Sequence, residues 1–116
     1  MISYNNNKNV GVVLQVQEDY LKVINDHGEI KNIKLTDVDK KFERDRKANT
    51  VDSQRNTLYT DNVIKIIDGK YKGRKGVIKY IFKNTLFLWD KEFYQSNGIF
   101  VEKTNNVLIL GDEHMK

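Results

Sequence analysis

Val63-Ile64-Lys65-Ile66-Ile67-Asp68-Gly69-Lys70-Tyr71-Lys72-Gly73-Arg74-Lys75-Gly76-Val77-Ile78-Lys79-Tyr80-Ile81 decides how this chain folds. An apolar strand with Ile64 and Ile66 facing inward runs into a loop, and an apolar strand with Ile78 and Ile81 facing inward returns from it. Gly69 and Gly73 allow backbone angles closed to other residues at a tight corner. Gly76 lets the returning strand pass close to its neighbour. The side chains of Lys70, Tyr71, Lys72, Arg74 and Lys75 are left at the tip, pointing outward. The loop lacks the Gly-Lys-Ser/Thr ending of a nucleotide-binding loop and leads into a strand rather than a helix, so nucleotide binding is excluded.

Working outward, strand signals dominate. Val10–Val16, Tyr20–Ile24 and Ile30–Leu35 read as an antiparallel meander, with a turn at Asn25-Asp26-His27-Gly28. Val77–Phe82, Leu86–Trp89, Phe100–Glu102 and Val107–Leu110 are further strands. Between the two groups lies the polar Thr36–Lys47, where Val38 and Phe42, four apart, fit one short helical turn that Thr36 could cap. The chain also repeats itself at a shift of 65 residues. Gly11-Val12-Val13-Leu14-Gln15-Val16 lies over Gly76-Val77-Ile78-Lys79-Tyr80-Ile81, Tyr20–Val23 over Thr85–Leu88, and Asn25 over Asp90, without a gap. The fold class is therefore all-β: two small barrels joined by a polar connector. The first unit spans 1–38, opening on the stub Ile2–Asn5. Residues 39–56 are a connector that could complete the first barrel, 57–111 form the second, and 112–116 are a tail. Units this small are marginal alone and should pack on each other or on a neighbour.

The 116 residues carry 20 basic and 16 acidic side chains, a net charge of +4, and no Cys. That balance suits a globular intracellular protein without a disulfide framework. No apolar run approaches a membrane span, and the first residues do not form a signal peptide. His27 in a turn and His114 near the end are too far apart to suggest a metal site or a nucleophile pair, so neither catalysis nor a metal or cofactor is expected. The charge distribution is more telling than its sum. Residues 69–83 hold Lys70, Lys72, Arg74, Lys75, Lys79 and Lys83 and no acid. Such a stretch suits a phosphate backbone or an acidic protein face. Tyr71 could stack on a base, or pack its ring over the barrel mouth. Lys79 should point outward. The aromatic residues from Tyr80 to Phe100, Tyr94 included, should mostly be core or lie between the units. Trp89 is the one expected to be partly exposed, as a partner anchor.

The Gly69–Gly76 segment resembles a KOW motif, the signature of SH3-like barrels in NusG-type factors and some ribosomal proteins. A closer resemblance, over roughly residues 10–110, is to the middle of the large subunit of DSIF, the eukaryotic branch of the NusG family. It rests on Val10-Gly11-Val12-Val13, Asp52-Ser53-Gln54-x-Asn56, Asp61-x-Val63-x-Lys65-x-Ile67-Asp68-Gly69, Gly73-Arg74-x-Gly76 and Asn97-Gly98-x-Phe100-Val101-x-Lys103-Thr104. The chain departs from that family at Trp89 and in the polar 39–50 connector. The resemblance implies two SH3-like (KOW/Tudor-type) barrels in a non-catalytic transcription elongation module. It implies a nuclear location, docking on RNA polymerase II subunits, and contact with nascent RNA or upstream DNA. A small zinc-binding subunit would be a partner of the full-length protein, engaged elsewhere than through this stretch. A purely protein-binding module and a ribosomal KOW protein binding rRNA are the alternatives. The nearly neutral first half argues against the latter.

Overall fold

The computed structural model describes residues 1–42 and 48–112. Among them the architecture is all-β: two five-stranded antiparallel sheets and one two-stranded hairpin. The first sheet is built from β1 (Ile2–Tyr4), β2 (Asn9–Val16), β3 (Tyr20–Asn25), β4 (Ile30–Lys34) and, after a 3-10 turn at Leu35–Asp37, β5 (Val38–Lys41). The hairpin is β6 (Asn49–Val51) and β7 (Thr57–Tyr59). The second sheet holds β8 (Asn62–Ile66), β9 (Lys75–Phe82), β10 (Thr85–Trp89), β11 (Ile99–Lys103) and, after a 3-10 turn at Thr104–Asn106, β12 (Val107–Asp112). The strand orders, β4-β3-β2-β1-β5 and β11-β10-β9-β8-β12, are the same topology twice: a four-stranded meander whose fifth strand returns beside the first.

The sequence repeat is also a repeat of backbone detail. Val13 pairs with Val23 and Gln15 with Lys22, so Leu14 is the extra residue of a bulge in β2. Phe87 pairs with Tyr80 and Leu88 with Ile78, so Lys79 is the extra residue in β9, at the equivalent place. The glycines near the start of these strands, Gly11 and Gly76, serve close approach. A Cβ on Gly11 would lie 2.9 Å from the Ile24 carbonyl oxygen, and one on Gly76 would lie 3.1 Å from the Phe100 ring and 3.2 Å from Leu88 Cβ.

Each sheet buries its own core. Ile2, Tyr4, Leu21, Val23 and Ile33 form the first, and Leu58, Ile64, Ile66, Ile78, Leu86, Leu88, Phe100 and Val107 form the second. A third cluster joins the units: Val12 and Ile24 meet the fully buried Phe87, flanked by Leu14, Tyr80, Phe82, Ile99 and Val101. The alternation of β10 explains this. Leu86 and Leu88 face the second core, and Phe87 between them faces the first unit. Small units that cannot bury enough surface singly thus share an apolar seam.

The region between the sheets differs from its sequence reading. Val38–Lys41 is a strand, not part of a helical turn, because pairing with β1 (Ile2 opposite Lys41, Ser3 opposite Lys40) satisfies its backbone. Among the described residues the helical piece there is the 3-10 turn that ends at Asp37. The first sheet therefore runs to Lys41, taking in the start of the 39–56 segment. The later part of the 39–56 connector packs with the second unit rather than the first. The Asp52 carboxylate accepts the Ile109 N–H at 3.1 Å, and the Ser53 N–H donates to the Val107 carbonyl at 3.1 Å. Residues 43–47 of the connector and 113–116 of the tail lie outside the described residues.

Candidate nucleic-acid interface

The loop between β8 and β9 is fixed by its own backbone. The Ile66 N–H donates to the Arg74 carbonyl at 2.8 Å, and the Gly73 N–H returns to the Ile66 carbonyl at 2.8 Å. Within that frame the Lys72 N–H reaches the Gly69 carbonyl and the Arg74 N–H the Tyr71 carbonyl, at 3.2 and 2.9 Å. Gly69 and Gly73 take φ of +91° and +93°, where an L side chain is strained. The result is a rigid bend at the rim of a sheet, with no helix involved.

Two side chains expected at the tip turn inward instead. Arg74 Nη1 lies 2.9 Å from Asp90 Oδ2, and its guanidinium sits over the rings of Phe93 and Phe100 at 5.0 and 5.8 Å. Asp90 is set for this by its turn: its Oδ1 accepts the Glu92 N–H and its N–H donates to the Gly98 carbonyl. A planar fork with a carboxylate on one side and aromatic faces on the other is a packing element. The Tyr71 ring meets Phe100 and Phe93 edge-on, at centroid distances of 5.1 and 5.7 Å. It covers the mouth of the second core. Arg74 is thus engaged within the chain rather than left free at the tip, and Tyr71 takes the packing alternative, its ring over the barrel mouth.

Lys70, Lys72 and Lys75 remain exposed, and none is paired with a carboxylate among the described residues. They border an open groove whose far side is Asp90, Lys91 and Glu92. Lys91 was missed by the sequence reading because it lies sixteen positions beyond Lys75, across the hairpin. Lys79 does not join them at the tip. As the bulge residue of β9 it lies half-buried with its ammonium 5.6 Å from the Trp89 ring. Trp89 is itself half-buried and leans on Gly98, where a Cβ would come within 2.8 Å of the indole nitrogen. Lys83 stands apart in the β9–β10 turn, lining a different cleft that shares no residue with the groove. Tyr94, grouped with core aromatics on sequence, is 96% exposed. Its loop is pinned by the Phe93 N–H to the Asp90 carbonyl at 3.0 Å and by Asn97 Nδ2 to the Leu14 carbonyl of the first unit at 2.6 Å. The polar run Gln95-Ser96-Asn97 beside it was the signal that this aromatic faces water.

The Asp52-Ser53-Gln54-x-Asn56 stretch is structural. Asp52 is buried, and its carboxylate accepts the N–H groups of Gln54, Asn56 and Ile109 and the Asn56 side-chain amide, at 2.8–3.1 Å. Burial pushes this carboxyl up, but the donors from Ile109, Asn56 and Gln54 outweigh it and hold the group below the ordinary carboxylate value. Among the described residues no three metal-ligating side chains cluster.

A glycine-punctuated, lysine-tipped hairpin on a five-stranded sheet, in a chain that builds the sheet twice, defines a tandem KOW-type module. Residues 50–104, from the β6–β7 hairpin to the 3-10 turn before β12, match the family described as transcription elongation factor SPT5, fourth KOW domain. The chain is 29% identical over 104 residues to transcription elongation factor SPT5 of Drosophila melanogaster. It is 27% identical over 108 residues to an SPT5 homolog of Arabidopsis thaliana and 30% identical over 98 residues to SPT5 of Yarrowia lipolytica. These matches cover 90%, 90% and 84% of this chain but only 10%, 10% and 9% of the relatives, so the chain spans about a tenth of their length. The chain belongs to the SPT5 family, the large subunit of DSIF.

Proposed function

We propose that this segment is a non-catalytic module of a nuclear transcription elongation factor. It docks on RNA polymerase II and contacts nascent RNA or upstream DNA, supporting processivity and pausing. The observation that supports the nucleic-acid contact is the loop, fixed by its own backbone hydrogen bonds, that holds Lys70, Lys72 and Lys75 exposed and in no ion pair among the described residues. Phosphate contacts need donors projected from a fixed backbone and are read without sequence preference. Lys91 extends the cationic border across the groove.

The test is fluorescence anisotropy with a single-stranded RNA. Three engaged phosphates set a slope of about −2 in log K against log salt, so affinity falls roughly twentyfold between 50 and 200 mM salt. K70E/K72E/K75E removes that contact. Wild-type binding that ignores both salt and these substitutions overturns the reading. The exposed Tyr94 favours a second reading, a protein-docking surface in which this aromatic anchors a polymerase subunit. Capture of polymerase with no gel shift of naked nucleic acid would select it.

A further inference from the structure

The seam between the units opens on one side into a cleft of about 390 Å³. Its walls come from both halves of the chain. The first unit supplies Ser3, Asn7, Lys8, Lys40 and Phe42, and the second supplies Phe82 and Lys83. Three lysines far apart in sequence therefore converge on a space that exists only while the units are docked. Among the described residues Asp26 is the one carboxylate in the lining. Asp39, beside Lys40, is already engaged, accepting the Asn7 N–H at 2.8 Å and so fixing the turn that carries Lys8.

We propose that this junction cleft is a second binding site for a phosphodiester chain, independent of the β8–β9 loop. The Lys40 ammonium lies 5.9 Å from the Phe42 ring and the Lys83 ammonium 5.3 Å from the Phe82 ring. Each wall thus pairs a cation with a half-exposed aromatic face. A single-stranded nucleic acid presents the same pairing, an anionic link beside a flat base, and both halves of it can be met here. An acidic peptide satisfies the lysines but offers no flat face to the exposed part of the rings. The turn chemistry supports display of the cation. Lys83 is the first residue of a two-residue hairpin and takes φ of +56°, a conformation in which glycine or asparagine is less strained. The chain instead places a lysine there, and its ammonium borders the cleft.

Two cationic sites on one chain act together on a single strand, the second contact forming at a high effective concentration. The molecule is 40 Å in its longest dimension, so a long strand can engage both sites while a short one engages either. The experiment uses the whole chain with 20-nucleotide single-stranded RNA and DNA of one sequence, and a poly-glutamate peptide as the protein-like arm. K8E/K40E/K83E is expected to lower oligonucleotide affinity and to make the salt slope shallower by about 2. K70E/K72E/K75E is expected to leave a weaker binding that remains salt-dependent and that disappears when both triples are combined. The RNA and DNA arms identify which backbone the cleft takes. K8Q/K40Q/K83Q, milder and with its circular dichroism unchanged, separates loss of contact from loss of fold. Wild-type affinity and slope in both junction triples overturn this inference and leave the loop reading standing. Loss of all binding in the loop triple alone does the same. Tighter binding of poly-glutamate than of either oligonucleotide, abolished by the junction triple, also overturns it.

Discussion

Replacing Phe87 by alanine tests whether the two units are one body. Phe87 is fully buried, and its ring lies in the seam with Val12 and Ile24, with Leu14, Tyr80, Phe82, Ile99 and Val101 around it. Removing such a ring costs about 3–5 kcal/mol, the lost transfer energy plus the cavity. A chain of this size has a total stability of about 5–15 kcal/mol, so the loss is a large share. It falls in one place. Leu86 and Leu88 still fill the second core, and the first core does not contain Phe87, so each unit keeps its own interior while their coupling is removed. Among the described residues the first core has five buried side chains against eight in the second, so the first unit should melt first once uncoupled. Trp89 is the single tryptophan and belongs to the second sheet, so its fluorescence reports that unit while far-ultraviolet circular dichroism reports both. In urea, the two probes should coincide for the wild type. For F87A the dichroism should begin to fall first, at a midpoint well below wild type. Coincident transitions with a loss under about 1 kcal/mol would refute the claim that this ring couples the units.

Three further outcomes follow from the geometry. Asp52 has its carboxyl held below the ordinary value, so its stabilisation is complete above about pH 4 and drains away as the pH falls through the folded value. D52N should therefore be less stable than wild type at pH 7 by about 1–3 kcal/mol, and the gap should narrow below pH 4 in urea melts. R74K should destabilise the fold yet leave the salt slope of RNA binding unchanged, since Asp90 and two aromatic rings engage the guanidinium. Y94A should change stability by less than about 0.5 kcal/mol. If Tyr94 stacks a base, it should weaken RNA binding by about 1–3 kcal/mol with no change in salt slope.

The barrels were legible because their signals are local. Glycines at 69, 73 and 76 between apolar strands left one backbone solution, and the gapless repeat carried the same solution to the first half. What could not be read was set by partners distant in sequence. Val38–Lys41 has a helix-compatible pattern and becomes a strand only because β1, some 38 residues earlier, lies beside it. Arg74 and Lys75 are adjacent cations with opposite fates, decided by Asp90 sixteen positions from Arg74. Which of its two readings Tyr71 takes, and the exposure of Tyr94, were set in the same way. Tyr71 finds Phe93 and Phe100 within reach, and Tyr94 sits on a loop that turns away from them.

The paired bulges show how one backbone feature serves two ends. A bulge inserts one residue whose side chain escapes the strict alternation of the strand. In β2 that residue is Leu14, which joins the seam and whose carbonyl accepts the Asn97 side chain from the other unit. In β9 the equivalent residue is Lys79, which lies over Trp89. Exchanging the two chemistries should separate the uses. A lysine at position 14 would place a charge against Phe87 and weaken docking. A leucine at position 79 would remove a cation without touching either core. The repeat therefore preserves the geometry of the unit, while the residue placed at the bulge determines whether that position holds the halves together or covers the Trp89 ring.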